Sequence, residues 1–175
     1  MSRLRRKQKL SLLKRLQKSV KEPRYALHTN RYFSALPIRF GPYAAKFSWR
    51  PLGAMATRSV SDDLGAELAT RLEHEPVQWA FDVQLFADEI STPIEDPTVE
   101  WQTPWVQLGV LTLPPQSVQS PPGQQLVAWG EGLSFDPWHA QVELRPLGAM
   151  MRARNVAYRV STQARKASSE PEALP

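Results

Sequence analysis

Phe135-Asp136-Pro137-Trp138-His139, Arg145-Pro146-Leu147-Gly148 and Arg154-Asn155-Val156-Ala157-Tyr158 follow one another near the C-terminus. The last of these lies in a stretch, Met150 to Arg165, that reads as a helix. On a helix, residues four apart share a face at neighbouring turns, so Arg154 sets a permanent guanidinium charge beside the Tyr158 oxygen. A phenol, with a solution pKa of roughly 10, is mostly protonated at neutral pH. An adjacent cation favours the phenolate, which is the form that ligates a metal. Alone, the pair is a weak signal, because both residues are common and most such pairs are solvated surface or ordinary packing. Its neighbours in the sequence give it weight.

In that order and spacing the three stretches resemble the haem-proximal segment of catalase-related proteins, where a helical tyrosine binds the haem iron. The resemblance continues upstream through Gln78-Trp79-Ala80-Phe81-Asp82-Val83-Gln84-Leu85, Pro93-Ile94-Glu95-Asp96, Val99-Glu100-Trp101 and Val106-Gln107-Leu108-Gly109-Val110-Leu111-Thr112-Leu113. Tyr43-Ala44-Ala45-Lys46-Phe47-Ser48 fits the same family. Coverage runs from about Tyr32 to Arg165 and is closest to the small catalase-related haem proteins. The resemblance implies an α+β fold, the C-terminal part of a catalase-like antiparallel β-barrel flanked by helices. It implies haem as cofactor, Tyr158 as iron ligand and Arg154 as its assistant. Arg145 and Arg152 either face the haem propionates, where guanidinium suits carboxylate, or are surface charges. The family activity is peroxide decomposition or peroxidase chemistry, and hydroperoxide chemistry on the same fold is not separated from it.

In the family, the distal histidine and asparagine come from an N-terminal half that precedes every stretch matched here. None of His28, His74 and His139 sits in a stretch resembling that motif. The expectation is therefore a partial domain, with no distal catalytic residue and an activity that is impaired or depends on a partner. That partner would be a complementing N-terminal half or further copies of the chain. His139 reads as structural, His28 and His74 as solvent-facing.

The formal charge of +5 is local in origin. Nine of the 22 basic residues lie between Met1 and Lys21, with no acidic residue among them, which leaves 13 basic and 17 acidic residues elsewhere. Leu12, Leu16 and Val20 recur at helical spacing with Leu13 beside them, so residues 1–22 read as a basic amphipathic helical arm. Three readings stay open for residues 3–18: docking on an anionic membrane, nonspecific contact with nucleic acid, or packing on the parent domain. The second function class is thus a non-enzymatic module attached through this arm. No secretory signal pattern and no apolar run of about 18 residues occurs, which points to the cytoplasm. The absence of cysteine excludes disulfides, thiolate nucleophiles and cysteine-bound metal.

Along the chain, residues 23–165 read as the domain and 166–175 as a disordered tail. Glu22 to Pro42 is punctuated by proline and reads as a connector. Strands are expected at Tyr43–Trp49, Val77–Phe86 and Val106–Leu113. Helices are expected at Ser61–Glu75, capped by Ser61 with a Leu64, Leu68, Leu72 stripe, at Gln124–Trp129 and at the C-terminal stretch above. Gln116 to Gly123 reads as a loop. Arg-Pro-Leu-Gly-Ala-Met occurs at both Arg50–Met55 and Arg145–Met150 with unrelated flanks, so each copy reads as a turn rather than as a duplicated domain. Glu95, Asp96 and Glu100 fall in a proline-bounded loop and read as structural. Ser134 and Ser161 lack the histidine and acid pattern of a hydrolase, and there is no glycine-rich phosphate loop.

Overall fold

The computed structural model describes residues 25–53 and 62–167. The basic arm, the tail beyond 167, Ser61 and the end of the first Arg-Pro-Leu-Gly-Ala-Met copy lie outside the described residues. After a single 3-10 turn at Leu27–Thr29 come β1 (Tyr32–Phe33), β2 (Ile38–Phe40) and β3 (Tyr43–Pro51). α1 (Leu64–Leu72), β4 (Val77–Leu85), β5 (Trp105–Leu113) and α2 (Pro121–Glu131) follow. A second 3-10 turn at Val142–Leu144 leads into α3 (Ala149–Ala164). The class is α+β, one antiparallel sheet with three helices, as expected.

Strand order is β1-β3-β4-β5, with β2 also paired to β3. The sheet does not close, so the expectation of a barrel is not met by the described residues: β4 pairs one edge of β5, and no described strand pairs the other. The connector reading of Glu22 to Pro42 is corrected as well, because Tyr32–Phe33 and Ile38–Phe40 pair with β3. Proline limits helix, but it leaves extended backbone free to join a sheet edge.

Side chains alternate across the sheet, so the register sorts them into two faces. One face carries Ser48, Asp82 and Gln107 side by side, since Ser48 pairs with Asp82 and Asp82 with Gln107. The other carries Trp49, Trp79, Phe81, Val83 and Leu111. A bulge between Phe81 and Asp82 leaves Leu108 of β5 without a direct partner. The sheet bends around its polar face far enough for Phe33 of β1 to meet Trp105 of β5 at 5.9 Å between ring centroids.

α1 covers one end of the apolar face. Its Leu72 packs with Val77 and Trp79 of β4, and Trp49, Leu68 and Leu113 close around them. The helix starts at Asp63, whose carboxylate accepts from Ala66 N at 2.9 Å. Asp63 thus takes the capping role expected of Ser61. α2 begins three residues earlier than expected, because Ser120 caps it through Gly123 N at 3.2 Å and prolines occupy its first positions. Proline at the first helical turn costs no hydrogen bond and arrives with a helical φ.

Candidate functional site

α3 is positioned by contacts far from it in sequence. The stretch before it pairs with β2: Arg39 N donates to Arg145 O at 2.8 Å, Gly41 N to Glu143 O at 3.0 Å, and Leu147 N to Pro37 O at 3.2 Å. Gly148 then turns with φ +89. This is a left-handed conformation in which an L side chain is strained. Gly53, at the same place in the other Arg-Pro-Leu-Gly copy, has φ +117. Both glycines thus have positive φ, although Arg50 and Pro51 of the first copy belong to β3 and not to a turn. The first free amide of α3, Ala149 N, donates to both carboxylate oxygens of Glu95, at 2.8 and 3.0 Å. A carboxylate there satisfies an orphan donor and complements the positive helix end. Glu95, read as structural in the sequence, holds the helix that carries the phenol.

On α3 the structure brings Arg154 and Tyr158 together. Arg154 Nη2 donates to Tyr158 Oη at 2.9 Å. The guanidinium also lies near the phenol ring, at 5.5 Å from its centroid. Arg154 is held from its other side by the buried Met151, whose sulfur accepts from Nη1 at 3.7 Å. Trp138 of the Phe-Asp-Pro-Trp-His stretch meets the Tyr158 ring edge-on, with centroids 6.5 Å apart. Asp136 fixes that turn by accepting from Trp138 N at 2.9 Å. The sequence singled out the arginine and the tyrosine. Met151 and Trp138 were missed as their supports, although the spacing Met151, Arg154, Tyr158 on one helix face was legible.

Two clefts meet at Arg154. One, of about 260 Å³, is lined by Arg154, Ala157, Tyr158 and Ser161 and opens to solvent. The other, of about 250 Å³, is apolar and runs between Leu36, Pro37, Ile38 and Phe47 on the sheet side and Pro146 and Met151 on the helix side. Each is smaller than the roughly 300–1,000 Å³ typical of pockets that enclose a ligand.

Arg145 and Arg152 do not join this group. Arg152 precedes Tyr158 by six residues, about 120° around a helix from it. Both side chains are exposed, and neither makes an ion pair with another described residue. His139 is exposed on the turn next to Trp138. His28 sits against α1, where burial and then the charge of Arg71 hold its imidazole below its ordinary pKa, opposed by Glu67 and Glu75. His28 is half-buried rather than solvent-facing.

Of the side chains that haem on its proximal side would require, the structure brings together a phenol and a guanidinium, beside clefts too small to enclose a macrocycle. The Tyr158 oxygen accepts from a guanidinium at the solvent-facing side of α3, and besides that pair only the small Ala157 and Ser161 line the cleft beside it. Among the described residues no group of three or more His, Asp or Glu side chains forms a metal cluster of another kind.

The main polar cluster outside α3 lies on the sheet. Asp82 is buried and takes Arg50 Nε at 2.8 Å, Arg50 Nη2 at 3.2 Å and Arg31 Nη2 at 3.3 Å. Ser48 accepts from Arg31 Nε and Nη2, and Gln107 from Arg50 Nη2. The Arg31 guanidinium lies beside the rings of Phe33 and Trp105, 5.0 and 4.8 Å from their centroids. This network ties β1, β3, β4 and β5 together across the concave side of the sheet. No family model matches the chain, and no curated protein matches it. No helix among the described residues is long and apolar enough to cross a membrane.

Proposed function

We propose that the chain is a haem-binding protein of the catalase-related type, in which Tyr158 would hold the iron. The observation that carries this reading is the hydrogen bond from Arg154 Nη2 to Tyr158 Oη at 2.9 Å on an accessible helix face. On this reading the open antiparallel sheet is the C-terminal part of a catalase-like barrel. Haem, if bound, would be held through Tyr158 and would supply ferric iron for peroxide chemistry. The chain's own residues do the rest. Arg154 balances the charge on the phenolate oxygen, Met151 fixes the guanidinium, and Trp138 limits rotation of the phenol ring. The apolar cleft beside Arg154 offers an edge for a hydrophobic macrocycle.

Peroxide cleavage also needs an acid–base group poised over the iron. Among the described residues His28 lies against α1, His74 in the turn after it, and His139 on an exposed turn. Catalysis on this reading depends on a distal group other than these three histidines, whereas ligation does not. The test is a haemin titration of the full chain, of Tyr158→Phe and of Arg154→Gln, followed by the visible spectrum. A one-to-one ferric-tyrosinate spectrum that Tyr158→Phe abolishes and Arg154→Gln weakens is expected. Binding that is indifferent to Tyr158, or no binding at all, overturns the reading.

A further inference from the structure

Beside its leucine stripe, α1 carries a cleft of about 450 Å³ that opens to solvent and is lined by Ala66, Glu67, Thr70, Arg71, His74 and Glu75. Its surroundings are acidic. Positions 62 to 75 hold Asp62, Asp63, Glu67, Glu73 and Glu75 against one arginine. That arginine is already engaged, since Arg71 Nη2 meets Glu75 Oε1 at 2.8 Å. The chain also enters the described domain at this cleft. The turn Leu27–Thr29 packs on α1, and His28 lies in the field of Arg71, Glu67 and Glu75. Only Glu22, Pro23 and Arg24 separate Tyr25 from Lys21, where the nine basic residues of the arm end. Three residues reach at most about 10 Å.

We propose that residues 12–21 of the basic arm dock along this face of α1, with their lysines and arginine among its carboxylates. Charge selects the occupant. Lys14, Arg15, Lys18 and Lys21 complement the acidic stretch, whereas an anionic membrane or nucleic acid is repelled by it. The tether favours the arm over a free partner, because a short linker makes the encounter intramolecular, at an effective concentration on the order of millimolar. Length agrees as well. Residues 12–21 span about 15 Å as a helix, and the nine residues of α1 about 14 Å. Leu12, Leu16 and Val20 then share one side, to set against Ala66 and Thr70. The docked half of the arm is withdrawn from any anionic partner, and this contact is independent of the haem reading.

The chain has no native cysteine, so Gln17→Cys takes a single nitroxide label beside the leucine side of the arm. Amide NMR of the labelled full chain tests the contact. Line broadening is expected to be greatest over Ala66–Glu75 and to shrink as salt is added, because exposed charge pairs are screened. An unlabelled copy mixed with the labelled one is expected to show none. Glu67→Lys combined with Glu75→Lys is expected to remove most of the broadening from α1. Lys14→Glu combined with Lys18→Glu is expected to do the same without altering the domain, and it decides the matter if the α1 pair fails to fold. An α1 without broadening overturns the proposal, and the arm is then open to a membrane or nucleic acid. So does broadening in the unlabelled copy, which would place the contact between chains. Broadening that persists in salt, or in either folded charge-reversed variant, overturns it too.

Discussion

Asp82 is 2 % exposed, and the guanidinium groups of Arg31 and Arg50 converge on it. A charge removed from water this completely is tolerated because its oxygens are paired, and the bonds hold Arg50 above its ordinary pKa. Asp82→Asn keeps the shape and removes the charge, so two cations are left facing an amide. Since both arginines retain solvent contact, the expected loss is about 2–3 kcal/mol by urea unfolding, below that of a fully enclosed pair. Tyr158 behaves in the opposite way. Its hydrogen bond is exposed, so Tyr158→Phe should change stability by less than about 1 kcal/mol. A stable Tyr158→Phe variant means that loss of haem binding reports on ligation and not on folding. Gly148 has φ +89, and alanine there is expected to cost about 1–2 kcal/mol by thermal unfolding. A cost near zero would mean that this turn relaxes.

At the scale of elements, most of the fold was legible. β3, β4 and β5 each begin and end within two residues of the expected positions, because alternation of apolar and polar residues carries the signal for half-buried strands. The leucine stripe of α1 likewise announces its buried side, and Leu72→Ala should cost about 2–5 kcal/mol by emptying the space beneath Trp79. The two short strands before β3 were not legible. Two or three residues hold no period, and they are strands only because β3 offers an edge to pair with. The same limit applies to the site. Arg154 and Tyr158 lie one turn apart, so spacing alone revealed their contact. Glu95 meets Ala149 across a long stretch of chain, and nothing local marks it as the cap of α3. Glu95→Gln weakens that cap, and it should lower the protection of the first amides of α3 against hydrogen exchange while leaving β4 unchanged.

For the molecule as a whole, several perturbed groups tilt stability the same way with pH. His28 is held below its ordinary value of 6.5, first by burial and then by Arg71. Asp88 is lowered by bonds from Ser91 and Ile90, and Asp96 by bonds from Thr98. In each case the unfolded chain takes up a proton at a pH where the folded chain does not. Stability is therefore full above the unfolded value and falls as pH drops toward the folded one. The windows are separate. His28 acts below 6.5, while the two aspartates act below their ordinary value of 3.8. Acid also adds positive charge to a chain that is already at +5, so self-repulsion compounds the loss. The expected curve of melting temperature against pH falls gently from 6.5 and steeply below about 4. His28→Asn should flatten the first limb and leave the second intact. If the first limb persists in that variant, the proton enters elsewhere, and the contact of His28 with α1 is not what makes the fold sensitive to mild acid.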